Sequence, residues 1–235
     1  MDTIDDFLLR LHAWARAQPL LHRLSIGTRL LLAAGFIPTG TVKLLGRRFT
    51  LMPPETSVGL FFEAMYQGGI YWRFLGASQI VASVLLLIPA TRVVGALAFF
   101  GIILNIFLIT VGYHFVGTGV ITGLMLLASV FLVAWDYPRV RALFGADAPD
   151  LPLIPLRTHR LGSVERAVYV VGGSAGMYFF FGTRSLTPGR ALIWPSFAIA
   201  AASVLIAAVL AIHAQLSDRR LRREASAAVP SPQAS

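Results

Sequence analysis

Six polar side chains lie within or beside long apolar stretches of the sequence, where a charge or an amide is unfavourable unless it has a partner. They are Lys43, Glu63, Arg73, Gln79, Asn105 and His114. Ionisable residues inside a membrane usually mark a functional site. Together these groups could hold a polar head group, a quinone ring or an anion. We therefore predict a ligand-binding site made from these six residues.

The spacing of the six residues predicts a funnel. If the apolar stretches are helices, the four ionisable groups fall at one end of them, taken as the outer end. Gln79 lies six residues below Arg73, about 9 Å, and Asn105 lies about 13 Å below His114, at roughly 1.5 Å per residue. Aromatic residues expected around the mouth are Tyr71, Trp72, Tyr113 and Phe115.

A purely structural interpretation of the same residues is left open. Lys43 and Arg73 could extend to the membrane surface and pair with Glu63. The amides of Gln79 and Asn105 could form interhelical hydrogen bonds without any ligand, each worth about 1 kcal/mol.

Metal, haem and thiol chemistry are not expected. No two of the histidines are three or four residues apart, as in His12, His22 and His114, and the sequence has no cysteine. Metal and haem sites need ligands that meet at one depth, and a dithiol relay needs cysteines. No Ser/His/Asp grouping indicates a nucleophile either. Whether the protein catalyses a reaction is left open.

The composition predicts a protein of the lipid bilayer. Hydrophobic residues make up 56% of the 235 residues and charged residues 13%, and the mean hydropathy is +0.72. In lipid, a backbone without water must form helices of about 20 residues each. The net charge of +9 suggests contact with anionic lipid head groups, and no nucleic-acid motif accompanies it.

We predict an all-α, polytopic membrane protein with six spans. The predicted spans are 24–45, 70–88, 93–113, 120–135, 167–182 and 191–215. The first four are joined by short links, apart from a short amphipathic helix that begins at Pro53-Pro54 and ends at Gly68-Gly69, so they form an antiparallel four-helix bundle. The last two form a separate transmembrane hairpin.

The remaining segments have their own predicted roles. Residues 1–23 are expected to form an interfacial amphipathic helix, with a packing helix as the alternative. The four-helix core spans 24–137, followed by a cytoplasmic linker over 138–166. The hairpin spans 167–216, and a disordered basic tail spans 217–235.

Three stripes at helical spacing are expected to face protein rather than lipid. They are Trp72, Gly76, Gln79 and Ser83; Ala98, Gly101, Asn105 and Gly112; and Thr122, Met125, Ser129 and Asp136. A fourth pattern, Gly172 with Gly176, favours either dimerisation or close docking of the fifth span on the sixth.

The distribution of positive charge predicts the topology. With the N-terminus inside, 14 of the 20 cations fall on the cytoplasmic side and 6 on the outer side. Cytoplasmic segments carry an excess of Lys and Arg. We therefore expect a bacterial inner-membrane protein with both termini in the cytoplasm.

Four sequence segments between residues 29 and 137 resemble the DoxX-like family of small bacterial membrane proteins. They are AAGFIPTGTVKLLG, YWRFLGASQIVASVLLLIPATR, ILNIF and GTGVITGLMLLASVFLVAWDY. The resemblance covers about 110 of the 235 residues and leaves out the last two spans. It implies a four-helix core and an association with quinone or thiol redox systems, while other relatives act as assembly factors.

These observations favour a membrane protein that binds a small amphipathic ligand, such as a quinone, and supports a redox system as an accessory subunit. Its partners would be the bilayer and membrane redox proteins. The alternative is a scaffold or assembly factor for other membrane proteins. A transporter is less favoured, because the six spans show no inverted repeat.

The absence of native cysteines makes the topology testable. With both termini in the cytoplasm, Ser57→Cys reacts with an impermeant maleimide on intact cells, and Ser226→Cys reacts only after lysis. Labelling of both positions on intact cells would contradict this topology.

Overall fold

Helices make up every regular element of the computed structural model, which describes residues 2–50, 52–115, 117–143, 161–183 and 190–227. No strand occurs within these ranges. Most of the predicted linker, 144–160, and the end of the predicted tail, 228–235, lie outside the described residues. The all-α fold class predicted from the sequence is confirmed.

The helices follow the predicted order. They are α1 (Asp2–Arg16), α2 (Pro19–Leu44), α3 (Ser57–Gln67), α4 (Ile70–Leu87), α5 (Arg92–Gly112), α6 (Thr118–Trp135), α7 (Tyr137–Leu143), α8 (Ser163–Thr183) and α9 (Ile193–Ala227), the last preceded by a 3₁₀ turn, Arg190–Leu192. By length and composition, α2, α4, α5, α6 and α9 are long and apolar enough to cross a membrane. The protein is therefore a multi-pass membrane protein.

Helix α8 corresponds to the predicted fifth span but is not among these five. Glu165 and Arg166 at its start, together with several glycines, lower its hydropathy. The number of crossings fixes the topology: six place both termini on one side of the membrane, and five place them on opposite sides. Labelling at Ser226 therefore also decides whether α8 crosses.

Three of the predicted segments differ from the structure. The predicted interfacial segment 1–23 ends early, because α2 already begins at Pro19. A proline in the first turn of a helix costs no hydrogen bond, since the N–H groups there have no acceptor within the helix. The predicted tail is not disordered over residues 217–227, where α9 continues to Ala227. An Asp218–Arg222 ion pair, one turn apart, supports this extension. The described start of the predicted linker is also helical, as α7.

Four helices form the bundle. Helix α2 packs on α4, α4 on α5, α5 on α6, and α6 returns to α2. Their shared core contains Leu32, Phe36, Ala82, Leu86, Ala96, Phe99, Ile103 and Leu132. The rings of Phe36 and Phe99 stack with centroids 4.0 Å apart. This apolar centre holds α2 and α5 on opposite sides of the bundle interior.

Helices α2 and α4 approach each other closely at two glycines. A Cβ atom on Gly76 would lie 2.4 Å from the carbonyl oxygen of Gly40, and one on Gly40 would lie 2.8 Å from that of Gly76. Such contacts are far shorter than any real Cβ makes, so only glycine fits. Small residues are the usual means by which membrane helices bring their backbones together.

Two of the three predicted stripes face the protein interior and one does not. All four residues of the α4 stripe are buried, and in α6 Thr122, Ser129 and Asp136 are buried. The stripe through Gly101 and Asn105 is exposed, so that prediction is wrong. The buried face of α5 instead carries large apolar residues such as Phe99 and Ile103, which fill the bundle better than glycine does.

The hairpin of α8 and α9 docks on α2 through polar contacts. Arg23 of α2 and Glu165 of α8 form a bidentate ion pair with distances of 2.6 and 3.1 Å. Within the hairpin, Gly172 lies against Ser203, where a Cβ would meet that side chain at 2.5 Å. The small residues of α8 therefore allow close docking onto α9, which is one of the two alternatives predicted for them.

Removing one partner of the Arg23–Glu165 pair should loosen the hairpin. We expect Glu165→Gln to lower the free energy of unfolding by about 2 kcal/mol, below the roughly 3–5 kcal/mol of fully buried pairs. Thermal unfolding in detergent measures the change. Glu63→Gln breaks a more exposed bidentate pair and is the matched control. Equal shifts in the two variants would contradict the role assigned to Glu165.

Candidate functional site

Lys43 is a buried ammonium near the C-terminus of α2. Its side chain is only 7% exposed. Nζ donates to Oε1 of Gln79 at 3.0 Å and to the carbonyl oxygen of Thr39 at 3.4 Å. Gln79 lies on α4 and is 5% exposed. The close approach at Gly40 and Gly76, one turn away, brings these two side chains within bonding distance.

Aromatic rings surround the ammonium of Lys43. Nζ lies 4.4 Å from the ring centre of Phe49 and 5.5 Å from that of Trp72. The indole N–H of Trp72 donates to the carbonyl oxygen of Arg47 at 2.9 Å. A cation over the face of an aromatic ring is attracted by the ring's quadrupole. These contacts fix the start of the linker between α2 and α3 against the bundle.

A cavity of about 310 Å³ lies next to Phe49, which is one of its lining residues. It is lined by Arg48, Phe49, Thr50, Met52, Pro53, Pro54, Gly59, Phe62, Glu63 and Tyr66. Its size is at the lower end of the range for small-molecule sites, which are mostly apolar with a few polar groups. We call this cavity the outer pocket, because it lies at the end of the bundle that the distribution of Lys and Arg predicts to be the outer one. Phe49 both lines the outer pocket and contacts the ammonium of Lys43.

The polar groups of the outer pocket are an ion pair. Arg48 donates from Nε and Nη2 to the two oxygens of Glu63 at 2.8 and 2.9 Å. This hydrogen bonding is the main reason that the pKa of Glu63 falls to about 2, so the carboxylate stays charged at neutral pH. The guanidinium also lies 4.5 Å from the ring centre of Tyr66. The pocket therefore presents a fixed cation and a fixed anion between aromatic rings.

Three of the predicted site residues lie close together and three do not. Lys43 and Gln79 meet directly, and Glu63 lines the neighbouring pocket. Arg73 is exposed, with its guanidinium beside Gly46. Because Arg48 holds Glu63, the alternative in which Lys43 and Arg73 pair with that carboxylate is wrong. His114 is exposed in the turn after α5, where its backbone N–H donates to the carbonyl oxygen of Val111 at 3.0 Å.

Asn105 is not at the floor of the funnel. It is exposed on α5, on the side away from the buried face of that helix. Its neighbours on this face include Gly101 and Gly112, where an added Cβ would meet no atom within 4 Å. The prediction that Asn105 lies below the ionisable groups is therefore wrong. Of the two amides predicted for this site, Gln79 lies in the interior and Asn105 does not.

The outer pocket contains residues that sequence patterns did not single out for the site. Arg48, Phe49 and Tyr66 have no assigned place in a stripe or motif. The linker around Phe49 follows no helical period, so no spacing rule could place it. The one available signal was the amphipathic face of α3, which includes Phe62 and opposes Glu63.

Other features of the described residues offer less chemistry. A cavity of about 530 Å³ between α2 and α8 has a mostly apolar lining that includes Leu30, Val170 and Phe181. In the part of the chain that the structure describes, no three His, Asp or Glu residues stand together as metal ligands. The outer pocket is therefore the candidate site for a ligand with a polar head.

Comparison with known proteins supplies a relative. The chain is 30% identical over 128 residues to the uncharacterized protein YwoB of Bacillus subtilis (strain 168). The match covers 52% of this chain and 82% of the relative. The chain belongs to the YwoB family. That relative carries no stated function, so membership of the YwoB family assigns no activity.

No protein-family model matches the chain, and no solved structure matches it. The resemblance to the DoxX-like family therefore stays a prediction. Since the match with YwoB covers about half of this chain, the rest of the chain extends beyond what the YwoB match describes.

Proposed function

We propose that this member of the YwoB family binds a small amphipathic ligand with a planar head, with a quinone as the leading candidate, in the outer pocket. In this proposal the protein supports a membrane redox system as an accessory subunit. The observation that carries it is the combination of aromatic walls with a paired guanidinium in a cavity of about 310 Å³.

The lining of the outer pocket suits a planar head. The rings of Phe49 and Phe62 lie with centroids 5.5 Å apart. Such rings favour offset or tilted stacking with another flat π-system. Arg48 supplies N–H groups that can donate to a carbonyl oxygen of the ligand, as a guanidinium carries five donors.

The Lys43–Gln79 pair makes the position of Phe49 depend on the bundle. The ammonium attracts the ring face of Phe49, and Gln79 and Thr39 fix the ammonium. A ligand that displaces the Phe49 ring therefore acts on the contact between α2 and α4. This coupling is what an accessory subunit needs in order to signal occupancy to a partner in the membrane.

An accessory role agrees with the absence of cysteine, because this chain cannot run a dithiol relay itself. In this proposal the electrons pass between the ligand and a partner protein. The resemblance to the DoxX-like family supports the link to quinone systems. We place the protein in the bacterial cytoplasmic membrane with both termini inside, on the strength of the distribution of Arg and Lys.

Binding of a short-chain quinone analogue to the protein in lipid nanodiscs tests the proposal. We expect Phe49→Leu to weaken binding about fivefold to tenfold, as expected for the loss of one aromatic stacking contact. Lys43→Met should weaken it too, because the Phe49 ring loses its cation. Phe74→Leu is the matched control, since Phe74 is exposed on the lipid-facing side of α4.

Two results would overturn the proposal. One is the absence of any binding to the wild-type protein in titration calorimetry. The other is a Phe49→Leu variant that binds the analogue as tightly as the Phe74→Leu control.

One observation favours the second candidate function, a scaffold for other membrane proteins. Asn105 exposes an amide in the middle of the α5 span, beside glycines that leave space for another backbone. An amide in hydrocarbon gains from a partner on a neighbouring helix. The occupant would be a transmembrane helix of another protein that offers an amide or a hydroxyl group.

The nanodisc experiment, combined with crosslinking of the protein in its native membrane, separates the two functions. Asn105→Leu should leave binding of the quinone analogue unchanged, because Asn105 lies outside the pocket. If the protein is a scaffold, this variant instead loses its crosslinked partner, while Phe49→Leu retains it.

A further inference from the structure

Four guanidinium groups surround one carboxylate at the other end of the bundle. Asp136 follows α6 and is 2% exposed. Its oxygens lie 3.0 Å from Nη2 of Arg16, 3.3 Å from Nη2 of Arg29, 2.9 Å from Nη2 of Arg92 and 3.8 Å from Nη1 of Arg139. The arginines come from α1, α2, α5 and α7. We call this group the Asp136 cluster.

The Asp136 cluster has more positive than negative charge. Among the described residues, Asp136 is the one carboxylate in ion-pair contact with Arg16, Arg29 or Arg92. Burial lowers the pKa of Arg16, and repulsion from Arg92 and Arg139 lowers it further, against the opposing effect of Asp136. Like charges held together at low dielectric repel strongly. An added anion would relieve that repulsion.

The hydrogen bonding of two of these arginines is incomplete. In the pairs Arg23–Glu165 and Arg48–Glu63, both Nε and Nη2 donate to carboxylate oxygens. In Arg29 and Arg92, Nη2 reaches Asp136, but Nε is buried without an acceptor among the described residues. A buried N–H of a charged group without an acceptor is strongly unfavourable. On each of these guanidiniums, Nη2 therefore has an acceptor and the neighbouring Nε–H does not.

We propose that the Asp136 cluster binds a phosphate group, which accepts from the Nε–H groups of Arg29 and Arg92. Asp136 holds the guanidiniums in place. A tetrahedral phosphate has oxygens in several directions and can accept from guanidiniums on different helices, which a second planar carboxylate does less well. Arg139, whose side chain is 59% exposed, is the member of the cluster in contact with water.

The phosphate group has two candidate sources. One is the head group of a phospholipid, because aromatic and basic side chains such as Trp135 and Arg16 are typical of the membrane surface. The other is a phosphate ion from the water phase. The proposal concerns the phosphate group, and the experiment distinguishes its origin.

The test uses the full chain purified in a neutral detergent. Native mass spectrometry measures how much phosphatidylglycerol is retained compared with diacylglycerol of the same chains, and calorimetry measures binding of inorganic phosphate. We expect a preference for phosphatidylglycerol or binding of free phosphate. Arg29→Gln/Arg92→Gln should reduce that binding at least tenfold, as expected for the loss of charge-assisted hydrogen bonds.

The control variant, Arg219→Gln/Arg220→Gln, removes the same charge from exposed positions on α9 and should bind like the wild type. If the double variant in the Asp136 cluster does not fold, Arg139→Gln replaces it and must weaken binding about threefold relative to Arg219→Gln.

The outcomes decide the proposal and the source. Retention of phosphatidylglycerol that depends on the cluster arginines supports a lipid head group, and cluster-dependent binding of inorganic phosphate supports a soluble anion. The proposal is overturned if phosphatidylglycerol is retained no better than diacylglycerol and inorganic phosphate does not bind, or if the cluster and control variants bind alike.

Discussion

The contact between the backbones of α2 and α4 at Gly40 and Gly76 determines how the rest of the bundle is arranged. In lipid, burial of apolar side chains contributes little to the association of helices. Close packing and polar pairing must supply the driving force instead. Here the two act at neighbouring turns. The glycines bring the backbones together, and Lys43 and Gln79 then meet at 3.0 Å. A bulkier residue at Gly76 would move α2 and α4 apart and so break both the backbone contact and the Lys43–Gln79 hydrogen bond.

Polar pairs lie at both ends of this bundle. At one end, Lys43 holds Phe49, which forms a wall of the outer pocket. At the other end, Asp136 forms ion pairs with arginines from four helices. The Arg23–Glu165 pair docks the C-terminal hairpin. Buried charges in a membrane are unfavourable unless they are paired, so each pair also fixes which helices are neighbours.

The sequence predicted the helices well, because each span is a long apolar run between turn residues. It also predicted the buried faces of α4 and α6, where polar and small residues such as Gln79 and Ser129 mark the interior. The same rule failed on α5, because large apolar residues bury equally well and leave Asn105 outside. The ion pair of Arg48 with Glu63 could not be predicted, since an irregular linker places Arg48.

The unfolding midpoint of Gly76→Ala tests the central role of the α2–α4 contact most directly. Gly101→Ala is the matched comparison, because a Cβ there would meet no atom within 4 Å. We expect Gly76→Ala to destabilise the protein by about 1–3 kcal/mol through overpacking. Gly101→Ala should be neutral or stabilising by up to about 1 kcal/mol through helix propensity. Equal stability of the two variants in thermal unfolding would contradict the account.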